Sequence, residues 1–557
     1  MSKIQVLIVF ILFTVSVSAQ ERITKTIKYP NGKVHIKAGF VNDSIYDGDY
    51  ENYYVNGNIK EKGSFDHNKR IGLWLAFYKN GDTLSKINYT NGPFVIWFEN
   101  KQLQVKGQVK NEEKSGDWIE YYSTGSIKNR EKYIDGKLDG KCTYFRRDSS
   151  ISEIRTYKKG IKDGKWVSYY PNGNKRLQGK YKNDKKVGIW KEWYLGGELM
   201  TVFPSENGDY KEYYRDGTLK ANGHILNGKF DGHWQYFYKN SQIKEEFDYV
   251  NGLKTGKTYK FYQTGKKQFE GVFVNDSLNG YATWWYANGN IEMEGVLKND
   301  LQDSIWIFYR ENGKKASKGS FIKGLMNGEW TYWYATGELW KKGHYKDGMK
   351  SGLWTTWFEN AQKLQEGNYK DNYETGEWNS WYDNGQPAAS GSYIAGKMNG
   401  EWKTWFKSSK PNYIFNFKND LKDGPATQYY SNGKKKYVGA FKDGLRTGSF
   451  KEWYKSGNLQ AVGKYKNGLK EGKWKFYDNR GRLYKEQSLI DGKPTGKWVE
   501  YYIDGKKKGE GQYKGVYKHG VWSYWDKKGA LVLKLRYKNG KKEEVIYDVK
   551  TQKIFPK

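Results

Sequence analysis

The sequence predicts an all-β protein, an elongated tandem array of β-hairpins in the form of a twisted single-sheet ribbon or solenoid. Three observations predict it. One glycine-led pattern recurs every 24 residues along almost the whole chain. Each copy carries two short aromatic and β-branched runs separated by Gly-containing turns, and aromatic side chains replace aliphatic ones as core material.

The pattern is best written from its first glycine: G-x-W-x-x-[YWF]-[YF]-x-N-G, a polar stretch, then G-x-Y-x-[ND]-G-x-x-x-G, the last glycine opening the next copy. Opening positions fall at Gly208, Gly232, Gly256, Gly280, Ser304, Gly328, Gly352 and onward to Gly520 in steps of 24 residues. The same phase runs upstream through Gly48, Gly72, Gly92, Gly116, Gly140, Gly164 and Gly188, where the steps Gly72–Gly92 and Gly188–Gly208 are shortened. That makes about 21 units of 24 residues, and a fixed period of this length marks a repeat architecture. The expected organisation is a signal peptide over 1–19, a degenerate N-terminal repeat or cap over 20–47, tandem repeats over 48–540 and a C-terminal cap over 541–557.

Within a unit the first strand is read in Trp330-Thr331-Tyr332-Trp333-Tyr334, whose residue types suit a pleated surface. Asn-Gly pairs such as Asn80-Gly81 and Asn172-Gly173 are expected to supply the positive-φ residues of a tight hairpin. The second strand ends on an aromatic, such as Tyr345 or Tyr369, before a second turn at Asp347-Gly348 or its equivalents. Two strands and two turns in one period leave no room for a helix. Trp330 and the aromatic four residues on share one pleat face and are expected to stack from unit to unit, the aromatic between them facing the other way. Roughly forty strands would extend on the order of 200 Å. The Ser408–Pro411 stretch reads as a looser turn, and Pro204 as a residue that cannot donate to a sheet ladder.

Composition agrees. Mean hydropathy is −0.96, which alone would suggest disorder, yet the chain holds 24 Trp and 49 Tyr, and disordered chains lack such rings. Lys3, an apolar run over Ile4–Val15 and Val17-Ser18-Ala19 read as a secretory signal peptide cleaved after Ala19, so the mature protein is expected outside the cytoplasm, in the periplasm, at the cell surface or in the medium. Cys142 is the one cysteine, which excludes an internal disulfide. The formal net charge of +34 and lysine-rich turns such as Lys434-Lys435-Lys436 would draw anionic lipid, lipopolysaccharide or acidic glycans to the chain. Export argues against nucleic acid as a partner in the cell, and peripheral membrane contact fits the charge.

No catalytic constellation is evident. Six histidines, at 35, 67, 224, 233, 344 and 519, form no close His/Cys/Asp cluster in sequence. Cys142 stands at the Trp position of its unit and reads as a small core residue. Gly252–Thr258 imitates a phosphate loop one residue short, on repeat glycines and with no helix after it. Asp43–Asp49 fails as a calcium loop because Ile45 and Tyr54 fall on ligand positions. The pairs Glu112-Glu113 and Glu245-Glu246 would face opposite ways on a strand. No catalytic, metal or cofactor-binding residue is assigned, no cofactor is expected, and the binding residues are left open.

The unit resembles the MORN-repeat variant of bacterial proteins known as YwqK-type antitoxins, on residues such as Gly328-Glu329-Trp330, Trp333-Tyr334-Ala335-Thr336-Gly337 and Gly343-His344-Tyr345-Lys346-Asp347-Gly348. The resemblance covers nearly all of the chain after the leader. It implies a scaffold, a membrane-proximal module or a partner-binding surface, and the antitoxin relatives imply neutralisation of a toxin as the alternative. A fainter similarity, to choline-binding repeats of bacterial cell walls, rests on their Trp, Tyr-Tyr and Gly in short hairpins. The expected function is therefore a non-enzymatic extracytoplasmic scaffold binding a protein partner or an anionic envelope component.

Overall fold

The structure is a computed structural model that describes residues 21–551 and 553–554, so the expected signal peptide lies outside the described residues. The chain divides into two compact units, Met1–Gly265 and Lys266–Lys557. Among the described residues both are built of strands and turns alone. In each unit successive strands pair antiparallel, and each packs beside the strands before and after it in sequence. The expected hairpin array is what forms.

One hairpin of the second unit serves for all. A nine-residue strand, Leu325–Trp333, precedes an eight-residue strand, Leu339–Lys346. The five residues between them close by Tyr334 N–H to Glu338 O at 2.8 Å and Gly337 N–H to Tyr334 O at 3.0 Å. The two-residue turn lies at the other end, where Asp347 and Gly348 have φ of +49° and +81°. Both central residues at positive φ match the right-handed strand twist, the requirement of a tight hairpin.

The sequence places that tight turn at Asn-Gly, and the structure corrects it. Asn80 acts through its side chain, its Oδ1 accepting from Asp82 N–H at 2.9 Å, inside the longer turn. Ser408–Pro411 is not looser either. Ser409, at φ +64°, donates its N–H to Phe406 O at 2.8 Å, the bond that Gly337 makes in its own turn.

The opening glycine marks a bulge. Lys318 pairs with Thr331 and Ser320 with Asn327, so Gly328, Glu329 and Trp330 all oppose Gly319. Extra residues on one strand bend it and re-aim a side chain, and here the re-aimed side chain is Trp330. The two shortened units cut their strands to six residues, Thr83–Asn88 with Gly92–Trp97 and Leu199–Pro204 with Gly208–Tyr213. Pro204 ends its strand. The 20–47 segment supplies a hairpin of its own, Ile23–Lys28 with Val34–Val41. Residues Lys541–Asp548 pair with Leu531–Lys538 through two register shifts, where Leu339–Lys346 pairs with Met349–Trp357 through one.

Candidate functional site: the ring face

Each unit has one face that buries its rings, called the ring face here, and the repeat builds it from three devices. The first is a seat. The second glycine of a unit lies opposite the Trp of the next, and the indole rests on it. A Cβ added to Gly319, Gly343, Gly367 or Gly391 would meet Trp330, Trp354, Trp378 or Trp402 at 2.1–2.2 Å. The ring is locked there by its own N–H: Trp354 Nε1 donates to His344 O and Trp378 Nε1 to Asn368 O, both at 3.1 Å. The seated indoles are almost wholly buried, Trp474 and Trp522 at 0% exposure.

At three positions seat and occupant change together. Phe415 replaces the glycine and Ala426 the Trp; Phe247 is matched by Thr258, and Glu131 by Cys142. All three small partners are buried. Volume is conserved across the pair, as close packing requires. Where a bulky seat keeps its Trp, at Arg155 with Trp166 and Gln487 with Trp498, the indole is only half-buried.

The second device is an edge-to-face zipper. Tyr345 stands between Trp330 and Trp354, with centroids at 6.1 and 5.1 Å and planes at 82° and 88°. Tyr369 and Tyr393 continue the file to Trp402. Direct unit-to-unit stacking of the seated Trp with the aromatic four residues on was expected. Instead Tyr334 reaches across the strands with its hydroxyl, donating to Trp357 O at 2.8 Å, and Tyr345 fills the gap between indoles. Edge-to-face geometry sets the positive ring edge against the negative face.

The third device is a roof of cations. Four residues before a seated ring stands Lys350, Lys470, Lys518 or Arg446, whose cationic groups lie 4.3–5.1 Å from the centroids of Trp354, Trp474, Trp522 and Phe450. Lys114 and Arg70 do the same for Trp118 and Trp74 in the first unit. The aliphatic stem covers the ring while the head reaches water. Burial, and behind it the cationic Arg446, push the Lys422 ammonium below its ordinary pKa; burial does the same for Lys470. The opposite face has its own half-buried row, Trp333, Trp357, Trp381 and Trp405, with Lys363 Nζ 5.7 Å from the Trp381 centroid and Lys342 paired with Glu329 at 3.0 Å.

The residues weighed for chemistry are spread over both units. Cys142 is fully buried, and burial pushes its thiol pKa up. Gly252–Thr258 runs into the strand Leu253–Phe261, with Thr258 buried and its hydroxyl donating to Glu246 O at 3.1 Å. Asp43 sits in a turn and Ile45 opens a strand. Glu245 and Glu246 are adjacent on one strand, Glu245 near Lys260 and Glu246 bonded to Gln235. His35 stacks on Tyr29, and His224 and His233 meet Asp209 and Asp248. Sequence spacing missed one cluster: Asp47, Asp66 and His67 converge, with His67 Nδ1 2.7 Å from Asp66 and 3.8 Å from Asp47. The Arg22 guanidinium already sits 2.6 Å from Asp47, and the hydrogen bond to Asp66 raises the His67 pKa.

Comparison with known proteins adds the family. Nine stretches match the model of the MORN repeat variant: 46–67, 162–183, 206–227, 230–251, 278–299, 326–347, 374–395, 422–443 and 446–467. Each stretch falls on one hairpin, 326–347 on the pair described above. No curated protein matches the chain. Among solved structures, similarity is found to a crystal structure of TcdB2-TccC3-Cdc42, at 10% identity over 95% of this chain and 33% of that one, with a TM-score of 0.13. A mutant Tc holotoxin pore of Photorhabdus luminescens gives 10% identity over 93% and 31%, with the same TM-score. The chain thus spans about a third of the length of the structures it matches. Four matched copies in the first unit and five in the second make the chain a tandem MORN-variant repeat protein.

Proposed function

We propose that the protein is a non-enzymatic scaffold, acting outside the cytoplasm, whose ring face binds an anionic component of the cell envelope. The observation that carries this reading is the roof. Lys422, Arg446 and Lys470 follow one another at this register, one hairpin apart, or about 10 Å from two strand spacings, and Lys350 and Lys518 hold it on either side, while Met326, Glu374, Met398 and Pro494 take it elsewhere. A run of positive charge over a buried aromatic floor complements an extended anionic surface or polymer. The net charge of +34 has the same sign.

The test is capture of envelope and secreted material by the purified mature protein, washed at low and at high salt. Anionic lipid or glycan held at low salt and released at high salt supports the reading, because exposed charge is screened by salt. A single protein held through high salt would replace it with specific protein recognition, and a toxic partner would make that the antitoxin role.

A further inference from the structure

In the second unit a second row runs beside the zipper on the ring face, made by the residue two after each seated ring and its partners across the strands. Rings fill this row at Phe308 and Tyr332 on one side, and at Tyr413 and Tyr437 on the other. Between them the row holds Lys341, Thr356, Gln365, Ser380, Ala389 and Thr404, joined by direct pairing from strand to strand. Six neighbouring strands without a ring in the row span about 24 Å. The missing rings leave a groove beside the zipper over Thr356 and Gln365, while Thr404 Oγ1, at the far end of the row, is buried.

One end of the groove is built for negative charge. A hollow of about 320 Å³ opens there, lined in part by Trp340, Lys341, Lys350, Trp354 and Gln365. Lys341 Nζ lies 4.3 Å from the ring centroids of both Tyr332 and Trp340, and Lys350 Nζ 4.6 Å from that of Tyr369. The nearby ion pairs use other lysines, Lys342 with Glu329 and Lys363 with Glu366, and among the described residues they leave Lys341 and Lys350 without a carboxylate. Burial, and then the charge of Lys350, push the Lys341 ammonium pKa down. Glu374, four residues before Trp378, is engaged by Tyr369. Trp340 is 37% exposed and Gln365 is exposed, although both border the ring face.

We propose that this groove seats an extended acidic polysaccharide. One acid group sits between Lys341 and Lys350, a sugar ring lies on the Trp340 indole, and sugar hydroxyls bond to Thr356, Gln365 and Ser380. The unneutralised lysines demand an anion. The string of small polar side chains suits a hydroxyl-rich chain, and the rings that line the hollow, Trp340, Trp354, Tyr369 and Trp378, suit the apolar faces of its sugars. This proposal rests on the reading of the ring face as an anion-binding surface, and names the class of anion.

The test is calorimetric titration of the full mature chain with hexagalacturonate, a heparin-derived hexasaccharide and uncharged maltohexaose. The expected result is binding of at least one acidic hexamer at least tenfold tighter than maltohexaose. The double variant Lys341→Gln/Lys350→Gln should weaken it at least tenfold. Thr356→Tyr/Ser380→Phe fills the groove with rings that the row carries elsewhere, at Tyr332 and Phe476, and should abolish binding while the melting temperature holds. Lys346→Gln/Lys370→Gln removes the same charge from exposed lysines on the other face and should bind like the wild type. Binding of neither acidic hexamer overturns the proposal, as does equal weakening by the two lysine pairs or full binding by the filled variant. A wild type that still captures anionic envelope material while the groove fails any of these loses only the groove; one that captures none loses the wider reading too.

Discussion

The indole of Trp354 lies directly on the backbone of Gly343, so close that a Cβ at position 343 would stand 2.1 Å from its Cδ2. The same contact recurs along both units, and the Phe415–Ala426 pair shows its inverse. Trp354→Ala should therefore cost about 3–5 kcal/mol. Gly343→Phe alone should destabilise by overpacking, about 1–3 kcal/mol or more. The double variant rebuilds the Phe/Ala arrangement and should recover most of both losses. Because repeats are coupled chiefly to their neighbours, hydrogen exchange over residues 339–357 is the sharpest readout. Additive losses in the double variant would contradict the seat.

Gln487 makes the converse prediction. It stands at the seat-glycine position and pairs with Trp498, whose indole is half-buried against Trp522, the centroids 5.0 Å apart. Gln487→Gly should let the indole settle, and hydroxyl-radical labelling of Trp498 should fall towards that of buried Trp474. Unchanged labelling would show that the seat does not control the indole.

Ring-face tyrosines set the alkaline limit of stability. Burial, with Glu374 nearby, pushes Tyr369 up to about 12, and burial pushes Tyr437 up to about 12 against the opposing charge of Arg446. An unfolded tyrosine titrates near 10. The folded state therefore holds the proton more tightly, and this contribution is complete below pH 10 and is lost as pH rises from 10 through 12. Unfolding midpoints should be flat from pH 8 to 10 and fall steeply above it. Absorbance at 295 nm should show these phenols ionising late, together with unfolding.

Much of this was legible in the chain itself. Gly328 and Trp330 recur with one fixed period because each hairpin must repeat its bulge and its indole to meet the next, so strand content and aromatic core could be read along with that period. The role of Gly343 could not be read from its own unit, since the ring it accommodates, Trp354, belongs to the next one. The signal was present in the exchange of Gly and Trp for Phe and Ala at 415 and 426. The tight turn was misplaced because Asn80 looks like a positive-φ residue while working through its side chain. Sequence spacing does not show the Asp47, Asp66 and His67 cluster, because pairing across strands brings Asp47 to the other two. The groove was hidden for a related reason: Lys341, Thr356 and Gln365 become neighbours only in register.

The most direct test of the ring face as the proposed binding surface is lysine acetylation footprinting of the protein, with and without an added anionic glycan or lipid at low salt. The account predicts protection of Lys350, Lys422, Lys470 and Lys518, which roof the rings, and none at Lys346 and Lys370 on the opposite face. Uniform protection of both sets, or protection of the opposite face alone, would contradict it.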